Sequence, residues 1–580
     1  MRAGVMRALT WRAPEIRLRN PGLWAIGSMS LVASFFIILP VLTIILSSFR
    51  VGLPGEFSPL TLANYREAFF DPFTWQVLVN TLFFALGTVV VILFFAVPSA
   101  WLIQRTDIPL KKLWLTLLAL GIVIPTFLKA IAWILLLSPQ IGIVNRLLID
   151  AFGLSGPPFN IYNIWGMSFV QGVILTPPAF FMIAAAYKSM DPSLEEASYA
   201  SGASGLVTFI RINFPLSLPA IIAATLYLFI TAIEVFEVPG LIGAPARIFV
   251  FSTLIYYATH PEVGLPKYGL AGGYGMIVLV LALLGSYFYY RVIRQSHKYE
   301  VVTGKGYRPK LVELGRLRGL AILFLLIYFT LEIFLPFLTL VWASLVPYIQ
   351  VPSAEAFTKV TLANYLKVPD YAGLRPFLNT ALLMLIAPTI SMVFSLILSW
   401  VVIRSKVKGR YVLDGVAFLP HAVPSILFAV ALSYLALAYR EFFPVYGTLT
   451  IIVLANSIKY ISFGTRTVNG ALIQIHHDLE EAAEVSGASK VKVLSSIITP
   501  LLGSALLNGW LWISLLAFRE VTMALTLSSP KNVMLSTLVW NLWSAGYVPE
   551  AAALGVMMVF VLGGFLVLAR KLGEKVIGGL

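Results

Sequence analysis

The sequence predicts an all-α integral membrane protein of about twelve transmembrane helices, arranged as two parallel six-helix repeats. Three observations carry that prediction. Of 580 residues, 59% are hydrophobic and only 12% charged, too little charge to cover a soluble surface of this size. Apolar runs of roughly 20 residues, the length that crosses a bilayer, recur along the whole chain. One polar segment occurs twice, 285 residues apart: Glu195-Glu196-Ala197-Ser198, followed by Gly202, Ile212 and Pro215, and Glu480-Glu481-Ala482-Ala483, followed by Gly487, Ile497 and Pro500.

Taken in order, the apolar runs of the first half lie at 23–49, 77–103, 113–137, 162–186, 216–238 and 274–293. Those of the second lie at 319–346, 378–403, 411–437, 447–473, 501–527 and 551–569. The first run is too long for a signal-peptide core and lacks a small-residue cleavage site, so it reads as the first span. Pro125 in the third run and Pro420 and Pro424 in the ninth fall at comparable places, and each predicts a kink useful for gating.

Orientation follows from lysine and arginine. With both termini in the cytoplasm, most of the 41 basic residues sort to that side, eight of them in the stretch 291–318 between the halves. Lys129, Lys459 and Arg519 fall within spans. The net charge of +15 is then membrane topology, dispersed over loops, and gives no reason to expect a nucleic-acid partner. Cysteine is absent, which removes disulfides and thiolate chemistry, and five scattered histidines offer little for a zinc site.

Further duplications support the repeat. Thr61-Leu62-Ala63-Asn64-Tyr65 recurs as Thr361-Leu362-Ala363-Asn364-Tyr365, Asn80-Thr81 as Asn379-Thr380, and Ser252-Thr253-Leu254 as Ser536-Thr537-Leu538. The offset drifts from 300 to 285, which places about fifteen extra residues at 138–162 of the first half. Six spans per half is an even number, so the repeats run parallel about an axis along the membrane normal, with a pathway expected between them. The domain reading is a first repeat at 1–300, a basic cytoplasmic linker at 301–318 and a second repeat at 319–580.

The duplicated segments, at 191–215 and 476–500, have the signature E-A-A-x3-G-x9-I-x-L-P, and the chain resembles the permease subunits of bacterial ABC importers of the first structural type. It is most similar to the fused two-unit permeases of the ferric-iron, putrescine and thiamine group. The departures are Ser198 for the second alanine and Phe214 and Thr499 for the leucine. The resemblance implies a permease, not an enzyme, in the bacterial cytoplasmic (inner) membrane, served by an extracytoplasmic substrate-binding protein. It implies that Glu195, Glu196, Ala197 and Gly202, then Glu480, Glu481, Ala482 and Gly487, couple to two copies of an ATPase. No G-x-x-x-x-G-K-[ST] loop is present, so ATP and magnesium belong to that partner and no cofactor is expected in this chain. Ferric iron is the favoured cargo, with a polyamine, thiamine or a phosphorylated small organic molecule as alternatives.

The physical reading of these segments agrees. Asp191-Pro192 suits a helix start, with the aspartate as N-cap and proline at the first position. Glu195 and Glu196, like Asp478, Glu480 and Glu481, sit where a helix dipole favours acid. Gly202 and Gly487 suit a left-handed residue that ends the helix.

Ionisable residues inside spans are the second signal, because each costs about 2.5–3.5 kcal/mol at mid-bilayer and faces protein or water. Glu234 and Glu237 share a face of the fifth span; Arg519 and Glu520 lie on the eleventh. At the offset of 285, Glu234 corresponds to Arg519, so the two are expected to face each other as a gate, a substrate contact or a structural ion pair. Lys129 and Lys459 read as lysines that snorkel along their spans, and Glu332 as peripheral. A twelve-span secondary transporter is the main rival class, but it leaves the twin segments without a purpose. An intramembrane hydrolase lacks H-E-x-x-H or G-x-S-x-G.

Overall fold

The computed structural model describes residues 21–191, 193–296, 311–405 and 409–578. Pro192 at its expected first-turn position, the linker stretch 301–310 and the basic residues of 1–20 lie outside the described residues.

The first repeat opens with α1 (Pro21–Ser48), then α2 (Ala63–Phe70) and α3 (Pro72–Arg105). The third span is broken into α4 (Lys111–Val123) and α5 (Thr126–Leu137), which meet at 95°. Next come α6 (Ile143–Phe152), α7 (Ile164–Ser189), α8 (Ser193–Ala200) and α9 (Gly205–Thr208). A π-turn at Phe209–Asn213 leads into α10 (Phe214–Glu234), and α11 (Phe251–Thr259) and α12 (Tyr268–Ser296) close the repeat.

The second repeat follows the same order. Its first span is α13 (Arg318–Phe329), a π-turn at Thr330–Phe334 and α14 (Leu335–Leu345). After α15 (Ala354–Thr358), α16 (Ala363–Ala372) and α17 (Arg375–Arg404), α18 (Arg410–Ala422) meets α19 (Ser425–Ala438) at 101°. Then come α20 (Leu449–Leu472), α21 (Asp478–Val485), α22 (Lys490–Val493), a π-turn at Leu494–Ile498, α23 (Thr499–Leu501) and α24 (Gly503–Arg519). The chain ends with α25 (Thr522–Thr526), α26 (Leu535–Ser544) and α27 (Val548–Gly578).

Among the described residues, eight helices are long and apolar enough to cross a membrane singly. The bent pairs α4–α5, α18–α19 and the 76° pair Lys490–Leu501 with Gly503–Arg519 supply three more spans. A fourth bent pair, Pro239–Ala246 with Phe251–Thr259 at 80°, brings the total to twelve, while the tenth apolar run forms α20, a single helix that carries Lys459 and Arg466. The two sharpest breaks fall at Pro125 and Pro424, each preceding the second helix of its pair. Proline removes the donor that would continue the helix, so these breaks occur where chemistry requires. The extra residues of the first half form α6 and its flanks, held by the Asn145 side chain, which donates to the carbonyls of Leu137, Ser138 and Phe159.

Each duplicated short motif does the same polar work twice. Asn64 donates to the carbonyls of Ser48 and Arg50, and Asn364 to those of Ser344 and Val346. The hydroxyls of Tyr65 and Ser48 pair at 2.7 Å, as do those of Tyr365 and Ser344. Asn80 donates to Phe249 O and Asn379 to Val533 O; Thr81 accepts from Phe251 N and Thr380 from Leu535 N. Ser252 donates to Val235 O and Ser536 to Glu520 O, capping the ends of α10 and α24. In a bilayer these backbone groups have no water to fall back on, so the residues that satisfy them recur where most apolar positions have drifted.

The halves interlock through their first spans. α1 lies against α12 of its own half and against α17, α18 and α19 of the other, with Ile37 and Ile44 in one core with Ile426, Leu427 and Val430. Reciprocally, α13 and α14 pack on the first half: Trp114 stacks on Phe329 at 5.4 Å, and Tyr328 lies 5.3 Å from Phe95.

Candidate functional site

Two regions hold the residues singled out by sequence. The first is the pair of surface helices α8 and α21. At α8 the Asp191 carboxylate accepts from Ser193 N at 2.9 Å, the expected cap. At α21, Asp478, Glu480 and Glu481 occupy the first turn. Both helices end on a glycine in the left-handed region, Gly202 at φ +82° and Gly487 at φ +86°. The next amides, of Ala203 and Ala488, return to the carbonyls of Ser198 and Ala483, the hydrogen bond that closes a Schellman turn. A π-turn follows each at the same offset of 285 residues.

The acidic residues divide into two roles that sequence alone did not separate. Glu195 and Glu480 were grouped with the partner-facing residues, but both are 2% exposed and point inward. Arg105, the last residue of α3, holds Glu195 in a two-pronged grip, Nε to Oε1 at 3.0 Å and Nη2 to Oε2. Asn213 adds a second donor to Glu195. Arg404, the last residue of α17, lies 2.6 Å from Glu480 and also donates to the carbonyls of Leu472 and Ile475. These carboxylates anchor each helix to the second span of its repeat. Glu196 and Ala197, Glu481 and Ala482, and both glycines are exposed and present the outward face. The arginines were missed, although Arg105 and Arg404 stand 299 residues apart, the same spacing as Asn80 and Asn379.

The second region is a cluster of charges at the helix breaks. Glu234 ends α10 and Glu237 lies just beyond; Arg519 ends α24 and Glu520 caps it in extended conformation. The expected opposition of Glu234 and Arg519 is not what the structure shows. Lys459 on α20 is the charge that acts on Glu234, and it acts on Glu520 as well. Arg519 instead acts on Glu237 and Glu520 and donates Nη1–H to the carbonyl of Ile122. The break at Pro125 frees that carbonyl, and a cation from the other half takes it. Lys459 likewise donates to Val423 O at the break before Pro424. Glu520 accepts from Met523 N at 2.7 Å. Beside the charges, Phe236 stacks on Trp540 across the halves at 5.4 Å.

Two further expectations are corrected. Glu332 is not peripheral and Lys129 does not snorkel. They form an ion pair 0% and 1% exposed, and Lys129 also donates to Gly121 O at 2.7 Å. Glu332 lies in the π-turn of the seventh span, so this pair ties the first span of the second half to the broken third span of the first. Its Oε2 has no hydrogen-bond partner. Repeat register could not point to it, because residues 203 apart are not counterparts in the two halves. Among the described residues, no three histidine, aspartate or glutamate side chains converge as a metal-binding group.

Residues 391–572 match the family described as "binding-protein-dependent transport system inner membrane component". The chain is 27% identical over 548 residues to the ferric transport system permease protein FbpB of Actinobacillus pleuropneumoniae, covering 93% of this chain and 76% of that protein. It is 22% identical to the Fe(3+)-transport system permease protein FbpB 2 of Haemophilus influenzae, covering 96% of this chain and 100% of that protein. The spermidine/putrescine transport system permease protein PotB of Escherichia coli is 30% identical over 220 residues, 37% of this chain and 78% of that protein. A solved bacterial ABC transporter that imports the acidic polysaccharide alginate aligns with 48% of the chain at 18% identity and a TM-score of 0.34.

Proposed function

Because the chain belongs to the family of binding-protein-dependent transport system inner membrane components, we propose that it is the fused permease of an ATP-driven importer, with α8 and α21 seated on two ATPase subunits and ferric iron as its cargo. The observation that carries this reading is the twin surface helix. Each is anchored inward by a buried arginine–glutamate pair and shows Glu196-Ala197 or Glu481-Ala482 outward. Small residues beside an acidic one let another backbone approach and give it a charge to meet. Two near-identical helices suit two copies of one partner.

In this reading α8, α21 and the basic linker face the cytoplasm, with both termini on that side, and an extracytoplasmic binding protein delivers cargo to the opposite face. The domain division at 1–300, 301–318 and 319–580 stands as part of the proposal. Cargo passes between the halves, where Glu234, Glu237, Arg519 and Glu520, joined by Lys459, line the breaks. Carboxylate oxygens suit a hard cation in transit. Iron is favoured because relatives aligned over nearly the whole chain carry that name. A polyamine is the second reading, favoured by the 30% identity to PotB.

Two measurements test the proposal. Purification of the tagged chain should bring down an ATPase with a Walker motif; its absence would remove the coupling role and favour a secondary transporter. Metal analysis and mass spectrometry of the cognate binding protein should find iron. A bound polyamine would decide for the second reading.

A further inference from the structure

The segment that leads into the second repeat is fastened to the first, at the foot of α8. Val312 forms an isolated parallel β-bridge with Thr106, donating N–H to Arg105 O at 2.9 Å and accepting from Asp107 N at 3.0 Å. Asp107 then takes the Leu314 amide at 3.0 Å and pairs with Arg318, the first residue of α13. Along 311–314 exposure alternates: Val312 and Leu314 are buried, Leu311 and Glu313 exposed. That is the period of an extended strand with one face pressed on protein. A Cβ placed on Gly205, between α8 and the following π-turn, would lie 3.0 Å from Val312 Cγ1. The residue whose carbonyl holds Val312, Arg105, is the one whose guanidinium holds Glu195 of α8.

We propose that residues 311–318 form a strap that joins α8 to the start of the second repeat, with Asp107 as its positioning residue, a role that rests on α8 being a helix that meets an ATPase. Movement at α8 would pass through Arg105 and the strap directly to α13. The π-turn that follows α13 bears Glu332, the residue tied back to Lys129. The first coupling helix would thus reach the second half through hydrogen-bonded backbone, whereas the α21 region meets the first half through apolar packing, with Ile26 of α1 in one core with Val493 and Leu494.

The chain has no cysteine, so a Gly205→Cys, Val312→Cys variant can be locked in the full complex with its ATPase in lipid. If helix and strap move as one body, the disulfide forms on oxidation and ATP-driven uptake matches the reduced complex. Failure of the disulfide to form, or a disulfide that abolishes uptake, overturns the strap. In parallel, Asp107→Ala should leave the ATPase bound and hydrolysing but lower uptake per ATP at least about fivefold, the scale of an allosteric coupling energy. Asp107→Asn, which keeps an acceptor for the Leu314 amide, should fall between. Unchanged uptake per ATP in Asp107→Ala overturns the proposal even if the disulfide forms. If the unaltered chain binds no ATPase, the docking reading itself fails, and that is seen before any variant is made.

Discussion

Removing one member of the Lys129–Glu332 pair should destabilise the joined halves, and removing both should restore most of the loss. Lys129→Met leaves a carboxylate at 0% exposure, with one oxygen already lacking a hydrogen bond, and orphans the Gly121 carbonyl. Glu332→Leu leaves a buried ammonium with that carbonyl as its partner. Breaking such a pair from one side costs about 3–5 kcal/mol, while replacing both members with apolar groups ranges from neutral to about 1–4 kcal/mol stabilising. For 580 residues melting as one unit, with about 2.1 cal/mol/K of unfolding entropy per residue, each single change lowers Tm by roughly 2.5–4 °C. The assay is loss of monodisperse protein on heating in detergent, for the parent, both singles and Lys129→Met with Glu332→Leu. The double variant should recover most of that loss and melt close to the parent, with the orphaned Gly121 carbonyl setting what remains. A double variant whose loss is the sum of the singles would refute the reasoning, since the two charges would then be acting on separate neighbours.

The same cycle applied to the pathway should find Glu234→Gln and Lys459→Met coupled in uptake, and Glu234→Gln and Arg519→Gln additive. Glu195→Ala and Glu480→Ala should each lower thermal stability by about 3–5 kcal/mol, whereas Glu196→Ala and Glu481→Ala should stay within about 0.5 kcal/mol and lose substrate-stimulated ATPase. Gly202→Asp and Gly487→Asp put a side chain at φ near +85° on the exposed turn; both should reach the membrane yet lose coupling, read as uptake and stimulated hydrolysis. The Leu314 amide, ahead of the Arg318 guanidinium, holds the Asp107 carboxyl below the usual carboxylate range. The strap is therefore intact at and above the ordinary carboxylate pKa and released only as pH falls through the lower folded value, which hydrogen exchange of 311–318 across an acid series can follow.

The sequence made the repeat legible because its markers are polar residues with backbone duties. Asn64, Asn80, Thr81 and Ser252 cannot drift without orphaning a carbonyl or amide in lipid, so they stand out against interchangeable leucines and valines. Pro125 and Pro424 betrayed the breaks for a similar reason, although not their angles. Side-chain direction was not legible. Glu195 and Glu196 are adjacent on one short helix, and only the position of Arg105, 90 residues earlier, decides which of them turns inward. Repeat register paired Glu234 with Arg519, but the charges themselves are not duplicated: the counterpart of Lys459 is Ile174. The real partners follow from which broken helix leaves a carbonyl open. Glu332 was invisible for the same reason, since its partner is set by the interlocking of α13 with the first half.

That interlocking sets a timetable for synthesis. α1 packs on α17, α18 and α19, and α19 ends at Ala438, nearly 400 residues after α1 leaves the ribosome. At about 5–20 residues per second, α1 waits roughly 20–80 s in the membrane before α19 arrives. It is equipped for the wait. The hydroxyls of Ser30, Ser34, Thr43 and Ser47 all donate to carbonyls of α1 itself, three or four residues back, so none depends on a helix not yet made. The ninth span inserts beside a helix whose hydroxyls at Ser30, Ser34, Thr43 and Ser47 are already satisfied, and it gains apolar contact with Ile37 and Ile44 when the halves close.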